Sequence, residues 1–263
     1  MNIAFIGFGN MAKAIAQGLL NTDQHHLSAS APSLSEGYTM DIIRTYSDNA
    51  IAVQKADIVI LAVKPQQMAD VLKDIIPVIH ENCLLISVAA GLSLSWLGHR
   101  CHPKQPIIRS MPNTPAAVNE AATALIANTL ANQQQKIWAE EIFSNIGMVK
   151  WIERETDLDI LTALAGSGPA YVYKFMESLV SAAEELGLNH KDAYSFTCQT
   201  VKGALKLAEQ TNLNIKELRK KVTSPMGTTA AALDILCNGE FDTLILNALK
   251  AAQQRSIELG KDL

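Results

Sequence analysis

From residue 3 to residue 127 the chain repeats one pattern. A short run of mostly apolar residues meets a few small or polar ones. A stretch then follows in which apolar side chains recur every three or four positions. The runs cover 3–6, 27–30, 58–63, 84–88, 107–110 and 122–127, and the clearest helical stretches cover 67–76 and 133–145. Strand and helix in alternation predict a mainly parallel, doubly wound α/β sheet. In such a sheet ligands bind beyond the carboxyl ends of the strands.

Beyond Trp151 the strand pattern stops. Val172, Phe175, Met176, Leu179, Val180 and Ala183 lie on a helical stripe that Gly187 closes as a C-cap. A second helix covers 190–210, and Leu244, Ile245, Ala248, Leu249 and Ala252 mark another. The expectation is an α/β domain over 1–151 and an all-helical one over 152–263, with the break near 151–156. Tyr171 and Tyr173 widen the apolar face of the first long helix, so it is expected to be covered on several sides. In a domain this small, a subunit interface supplies that cover.

Composition narrows the function. The 263 residues are 48% hydrophobic and 18% charged, enough for a sizeable core. The net charge of −4 offers no basic surface for nucleic acid. Cys83, Cys101, Cys198 and Cys237 form no CxxC pair and are expected as reduced thiols. His99, Cys101 and His102 cluster, but a metal site there lacks a further ligand, so none is expected. No apolar stretch reaches the ~20 residues of a membrane span. The first segment reads as a core strand instead of a signal peptide, and the expected location is the cytoplasm.

The first strand runs directly into Gly7-Phe8-Gly9-Asn10-Met11-Ala12, a G-x-G-x-x-A turn. Gly7 permits a tight turn, Gly9 lets backbone approach a pyrophosphate, and Ala12 lets the next helix pack close. Placed between an apolar strand and a helical pattern, this is the signature of a Rossmann-type dinucleotide site. Ile6, Gly7, Phe8, Gly9, Asn10 and Met11 are its expected lining. No acid ends the second strand, where an NAD-preferring site usually has one for the ribose 2′-hydroxyl. Ser30 and Ser33 stand there, able to donate to a 2′-phosphate or, alternatively, to start a turn and cap a helix. The cofactor indicated is NADPH, with NADH possible. Asn49 is expected near the adenosine side. Val63, Lys64 and Pro65 follow the next strand, and Ala90 lies in a run of small residues after the fourth. In Met111-Pro112-Asn113-Thr114-Pro115 two prolines freeze a loop and hold Asn113 toward a nicotinamide carboxamide or a substrate.

Two glycine turns mark the helical half. Gly166-Ser167-Gly168-Pro169-Ala170 opens the first long helix, with Pro169 at a helix start. Ser224-Pro225-Met226-Gly227-Thr228-Thr229 opens another, where amides of Gly227 and Thr228 and the helix dipole suit a carboxylate. Thr229 could offer its hydroxyl to a neighbouring polar atom, or act only as a cap.

The Gly7–Ala12, Met111–Pro115, Gly166–Ala170 and Ser224–Thr229 segments, with Ala62-Val63-Lys64-Pro65, occur in an order that resembles the pyrroline-5-carboxylate reductases over essentially the whole chain. The resemblance implies NAD(P)H-dependent reduction of 1-pyrroline-5-carboxylate to L-proline, the last step of proline synthesis. It also implies helical domains that interlock in a homodimer or larger oligomer, with each active site drawing on two subunits. Substrate contacts carried over are Ser224, Met226, Gly227, Thr228, Thr229 and Asn113, with Thr229 at the ring nitrogen as the catalytic contact. Met226 departs from the family, which usually has glycine there. Two rival readings are a β-hydroxyacid dehydrogenase and a non-catalytic NADP-sensing protein. For the former, Lys174 follows a glycine turn, but Ser178 stands where its partner asparagine belongs. The latter has no need of the Ser224–Thr229 turn.

Overall fold

The computed structural model describes residues 1–20, 25–40 and 42–261. By the density of internal contacts it comprises two compact units: Met1–Ser167 joined by the chain from Ala251 onward, and Gly168–Lys250.

The first unit is built on one sheet. Its strands are β1 (Asn2–Ile6), β2 (His26–Ser30), β3 (Gly37–Thr39), β4 (Ile43–Tyr46), β5 (Ile58–Leu61), β6 (Leu84–Ser87), β7 (Ile107–Met111), β8 (Ala121–Ala127) and β9 (Gly147–Trp151). Their order is β3-β4-β2-β1-β5-β6-β7-β8-β9. All described pairings are parallel except β3 with β4 and β7 with β8. The central strands β5 and β6 are buried at every position because both faces are covered. Ile3, Phe5, Ile58, Ile60 and Ile86 face α1 (Asn10–Leu20) and α5 (Gln133–Ser144). Ala4, Ile6, Val59, Leu61 and Leu85 face the other way, toward α2 (Asn49–Val53) and α3 (Met68–Ile75). Met68, Val71, Leu72 and Ile75 of α3 keep the i, i+3, i+4, i+7 spacing of a single buried stripe. Register aligns the carboxyl ends at the centre, with Ile6 opposite both Ser30 and Leu61.

Three departures from expectation have physical causes. No helix follows β2, so capping by Ser30 or Ser33 does not arise; a turn leads into β3, which pairs back on β4 at the sheet edge. β9 is an edge strand whose side chains alternate between covered and exposed, too short a pattern to stand out in sequence. The break between units falls at Ser167/Gly168, later than the expected 151–156. The chain after Trp151 remains tied to the sheet. Glu155 accepts from the Leu94 amide at 2.6 Å, where α4 (Leu94–Gly98) begins, and from Arg109 Nη1 of β7 at 2.5 Å. Leu158, on α6 (Asp157–Leu161), packs with Ala124 and Ile126 of β8. From the other end of the chain, Ser256 donates to Asp159 at 2.7 Å.

The second unit is helical, as expected. It comprises α7 (Gly168–Glu185), α8 (His190–Glu209), α9 (Ile215–Lys221), α10 (Thr228–Asn238) and the start of α11 (Phe241–Lys261). Gly187 adopts φ +102°, and Leu188 N bonds back to Ala183 O at 3.0 Å, the closing bond of a glycine C-cap. Asn189 and Asn214 cap α8 and α9.

Candidate active site

The glycine turn lies at the carboxyl end of β1. Gly7 has φ +85°, and its amide donates to Ser30 O at 2.8 Å. A Cβ at this position would stand 2.6 Å from Ala62 O, so both the backbone angle and the neighbouring strand demand glycine. Gly9 is different: a Cβ there would meet nothing of the protein within 4 Å. Its smallness serves no internal contact, which leaves the space over the turn for a group from outside. Ile6 ends the strand, buried, and Phe8 turns its ring edge-on to Phe5 at 5.8 Å. Asn10 and Met11 begin α1, whose first turn carries no acid, so its amides face outward without a competing anion. Ala12 is fully buried under that turn. The residues present fit a pyrophosphate.

The neighbouring strand ends refine the set. Ser30 is buried and donates its hydroxyl to Asn49 Oδ1 at 2.9 Å, so it orients Asn49 instead of facing outward. Ser33 is exposed on the following turn. Glu36, the nearest acid after β2, accepts from Ser47 at 2.9 Å. β5 ends at Leu61, and the segment through Val63 and exposed Lys64 leads into a short turn from Pro65. Ala90 is half-buried beyond β6. Beside it Gly91, at φ +82°, comes so close to Gly260 of α11 that a Cβ on Gly260 would fall on the Gly91 carbonyl. That second glycine gave no sequence signal, because one glycine near the end of a helical pattern reads as a stop. Glu155 also went unnoticed, standing in a run of charged residues with no characteristic spacing. Burial pushes the Cys101 thiol up to about 12; burial and then Asp57 do the same to Cys83. Neither is a thiolate at neutral pH.

Asn113 was expected to face a ligand and does not. It is buried; its Oδ1 accepts from the Ala122 amide and its Nδ2 donates to Ala165 O, both at 2.9 Å. The fixed loop after β7 is present, but this side chain points back into the first unit.

In the second unit Ser224-Pro225-Met226-Gly227 forms a turn closed by Gly227 N to Ser224 O at 3.1 Å. Proline in its second position and φ +58° at Met226 give it the pattern of a type II turn, which favours glycine in the third position. The methionine side chain is fully exposed. Because the turn consumes the Gly227 amide, that amide is not the free donor expected from sequence. The first helical bond runs from Ala231 N to Gly227 O, which leaves the amides of Thr228, Thr229 and Ala230 to open α10. Gly227 is the N-cap, and no side chain caps the helix. Thr229 therefore has no capping role; it is half-buried one residue inside the helix start. A Cβ on Gly227 would stand 2.5 Å from Ser224 Oγ, the end of an exposed side chain that can rotate away, so the turn does not by itself require glycine there.

A glycine turn that fits a pyrophosphate on a doubly wound sheet, followed by a helical unit in which one helix opens on three free amides, is the layout of an NAD(P)-dependent oxidoreductase. Residues 2–91 match the family model described as NADP oxidoreductase, coenzyme F420-dependent, and residues 155–259 match that of pyrroline-5-carboxylate reductase dimerisation. Pyrroline-5-carboxylate reductase of Pseudomonas aeruginosa is 37% identical, with 99% of this chain and 97% of the relative covered. The second such enzyme of Bacillus subtilis is 36% identical over 98% and 94%. Among solved structures, Plasmodium falciparum pyrroline carboxylate reductase with NADP bound superposes with a TM-score of 0.90 at 32% identity, covering 99% and 98%. The chain belongs to the pyrroline-5-carboxylate reductase family.

Proposed function

We propose that the protein reduces 1-pyrroline-5-carboxylate to L-proline, the last step of proline synthesis, with NADPH preferred over NADH. The observation that carries the reading is the start of α10. Three unpaired amides and the positive helix end accept the substrate carboxylate, and the Thr229 hydroxyl is left without a capping role. A bound reduced nicotinamide supplies the hydride to the C=N carbon. The amides of Thr228–Ala230 hold the carboxylate, and Thr229 holds the ring nitrogen, which carries a proton before the carbon is reduced. An imine nitrogen protonates readily in water, so the site needs no strongly basic side chain, and positioning is the protein's main contribution. The turn between Gly7 and Met11, with Asn49, Val63, Lys64, Pro65 and Ala90, holds the cofactor; exposed Ser33, with no acid beside it, favours a 2′-phosphate.

The working form is a homodimer or larger, made through the helical unit, and it acts in the cytoplasm. Four free thiols, and no described helix long and apolar enough to cross a membrane, agree with that location. The dehydrogenase rival loses ground at Lys174 and Ser178: the lysine pairs with Glu177 at 3.0 Å on an exposed face, and the serine hydroxyl bonds back to Lys174 O. An absorbance assay with pyrroline-5-carboxylate and each reduced cofactor tests the proposal. Consumption of NADPH, faster than of NADH, is expected; no turnover, or oxidation of serine or 3-hydroxyisobutyrate instead, would overturn it.

A further inference from the structure

Between α6 and α7 the chain makes one π turn, Thr162–Gly166, closed by Ser167 N to Thr162 O at 2.8 Å. Its cause is legible in the next residues. Four positions after Ala165 stands Pro169, which has no N–H to give to the Ala165 carbonyl and whose ring crowds it in regular helix. Widening to a π turn removes the crowding, and such turns recur at functional sites. The missing donor comes from elsewhere in the fold: Asn113 Nδ2 reaches Ala165 O at 2.9 Å across a sequence separation of 52 residues. The same side chain fixes the start of β8 through Ala122 N. Met111, two residues before Asn113, lies against Gly166, where an added Cβ would come 2.8 Å from its terminal methyl. The fixed loop after β7 is thus joined at two points to the segment where the chain leaves the first unit.

We infer that Asn113 is a positioning residue for imine reduction: its amide takes the place of the N–H that Pro169 lacks, and so ties the loop Met111–Pro115 to the π turn Thr162–Gly166 within the first unit. It acts on the geometry of the nicotinamide edge without touching cofactor or substrate. The inference rests on the reductase reading and adds to it a residue whose side chain faces away from the ligand. The tie to Ala165 is not needed to build the sheet, since β7 already pairs with β6 and β8 through its backbone.

Asn113→Asp keeps an acceptor for Ala122 N and removes the donor to Ala165 O. The expected result is a fall in kcat of about tenfold to a hundredfold, the scale of a displacement near 1 Å at a reacting centre. NADPH affinity by fluorescence titration, and KM for pyrroline-5-carboxylate, should stay within about twofold of wild type on the same reasoning. Amide hydrogen exchange should rise in peptides spanning 161–170 and stay unchanged in β1 and β5. Pro169→Ala returns an N–H to the Ala165 carbonyl, so adding Asn113→Asp in that background should cost several-fold less kcat. Unchanged kcat, weakened NADPH binding at constant kcat, unchanged exchange over 161–170, or an equal penalty in the Pro169→Ala background would each overturn the inference. A wild type that binds NADPH but reduces no pyrroline-5-carboxylate would sink the reductase reading alone, because exchange over 161–170 still reports on the Asn113 tie.

Discussion

In the first unit nearly every residue of the central strands β1, β5, β6 and β7 is enclosed, from Phe5 and Ile60 to Ile108, and two continuous apolar layers seal the sheet from both sides. In Gly168–Lys250 only Ala193 and Thr197 are enclosed, while Tyr173, Phe196, Leu205, Leu244 and Ile235 each expose more than half their surface. Both units derive from sequence of similar apolar character. The difference is that one folds its apolar surface inward and the other presents it. A unit with that little interior does not repay the conformational entropy of its helices by itself, and the proposed homodimer would supply the missing cover. On that proposal, stability in the first unit is a property of the chain, whereas in the second it would be a property of the assembly.

The strongest way to break this contrast is to make the presented surface unattractive. Phe175 and Leu179 lie one helical turn apart on α7, both substantially exposed. Replacing both with glutamate should abolish association in light scattering and cut turnover by more than a hundredfold, since an unassembled helical unit has no fixed α10 start to hold the substrate. NADPH binding by the first unit should survive. An active monomer would refute the contrast outright.

Thr229→Val should leave assembly and NADPH binding intact and lower kcat/KM by about one to two decades, the worth of a hydrogen bond to a charged group. Because α10 has no side-chain cap to lose, the melting temperature should hardly move. Normal kinetics in the folded variant would remove Thr229 from the site.

Glu155→Ala tests the other side of the contrast. Arg109, almost fully buried, would lose its carboxylate and the Leu94 amide its acceptor. With Glu155 about one-third exposed, water offsets part of the penalty, leaving a loss of about 2 kcal/mol in urea unfolding. The oligomer mass should not change.

The smallest effect belongs to Met226→Gly. Relieving a left-handed methionine gains about 1 kcal/mol, and the added freedom of glycine in the unfolded chain returns much of it, so the urea midpoint should rise only slightly. A change in KM for pyrroline-5-carboxylate larger than about twofold would show that the exposed side chain touches substrate in the assembly.

Much of this was open to reading in the sequence. The central strands announce themselves because burial on both faces forces unbroken apolar runs, and Gly7 because two independent constraints converge on it. β3 and β9 stayed hidden because they are short edge strands without a buried residue, and β4, though paired on both sides, because only two of its four residues are buried. The amide of Gly227 looked available because a pattern of residue types does not show that the turn before it closes on that very N–H. Asn113 shows the same limit. The proline that leaves Ala165 without a donor is visible in the chain, but the donor that answers it sits on another element, and only the folded sheet brings them together.

The contact between Gly91 and Gly260 carries a consequence for synthesis. The first unit is interrupted in sequence, so the ribosome releases the segment that closes against the loop after β6 only once all of Gly168–Lys250 has been made. A sheet that emerges early must wait, with that loop uncovered, until the last helix arrives. A message cut short after α10 would yield a chain holding the whole sheet and every residue of the glycine cradle, yet lacking the piece that covers the Gly91 loop.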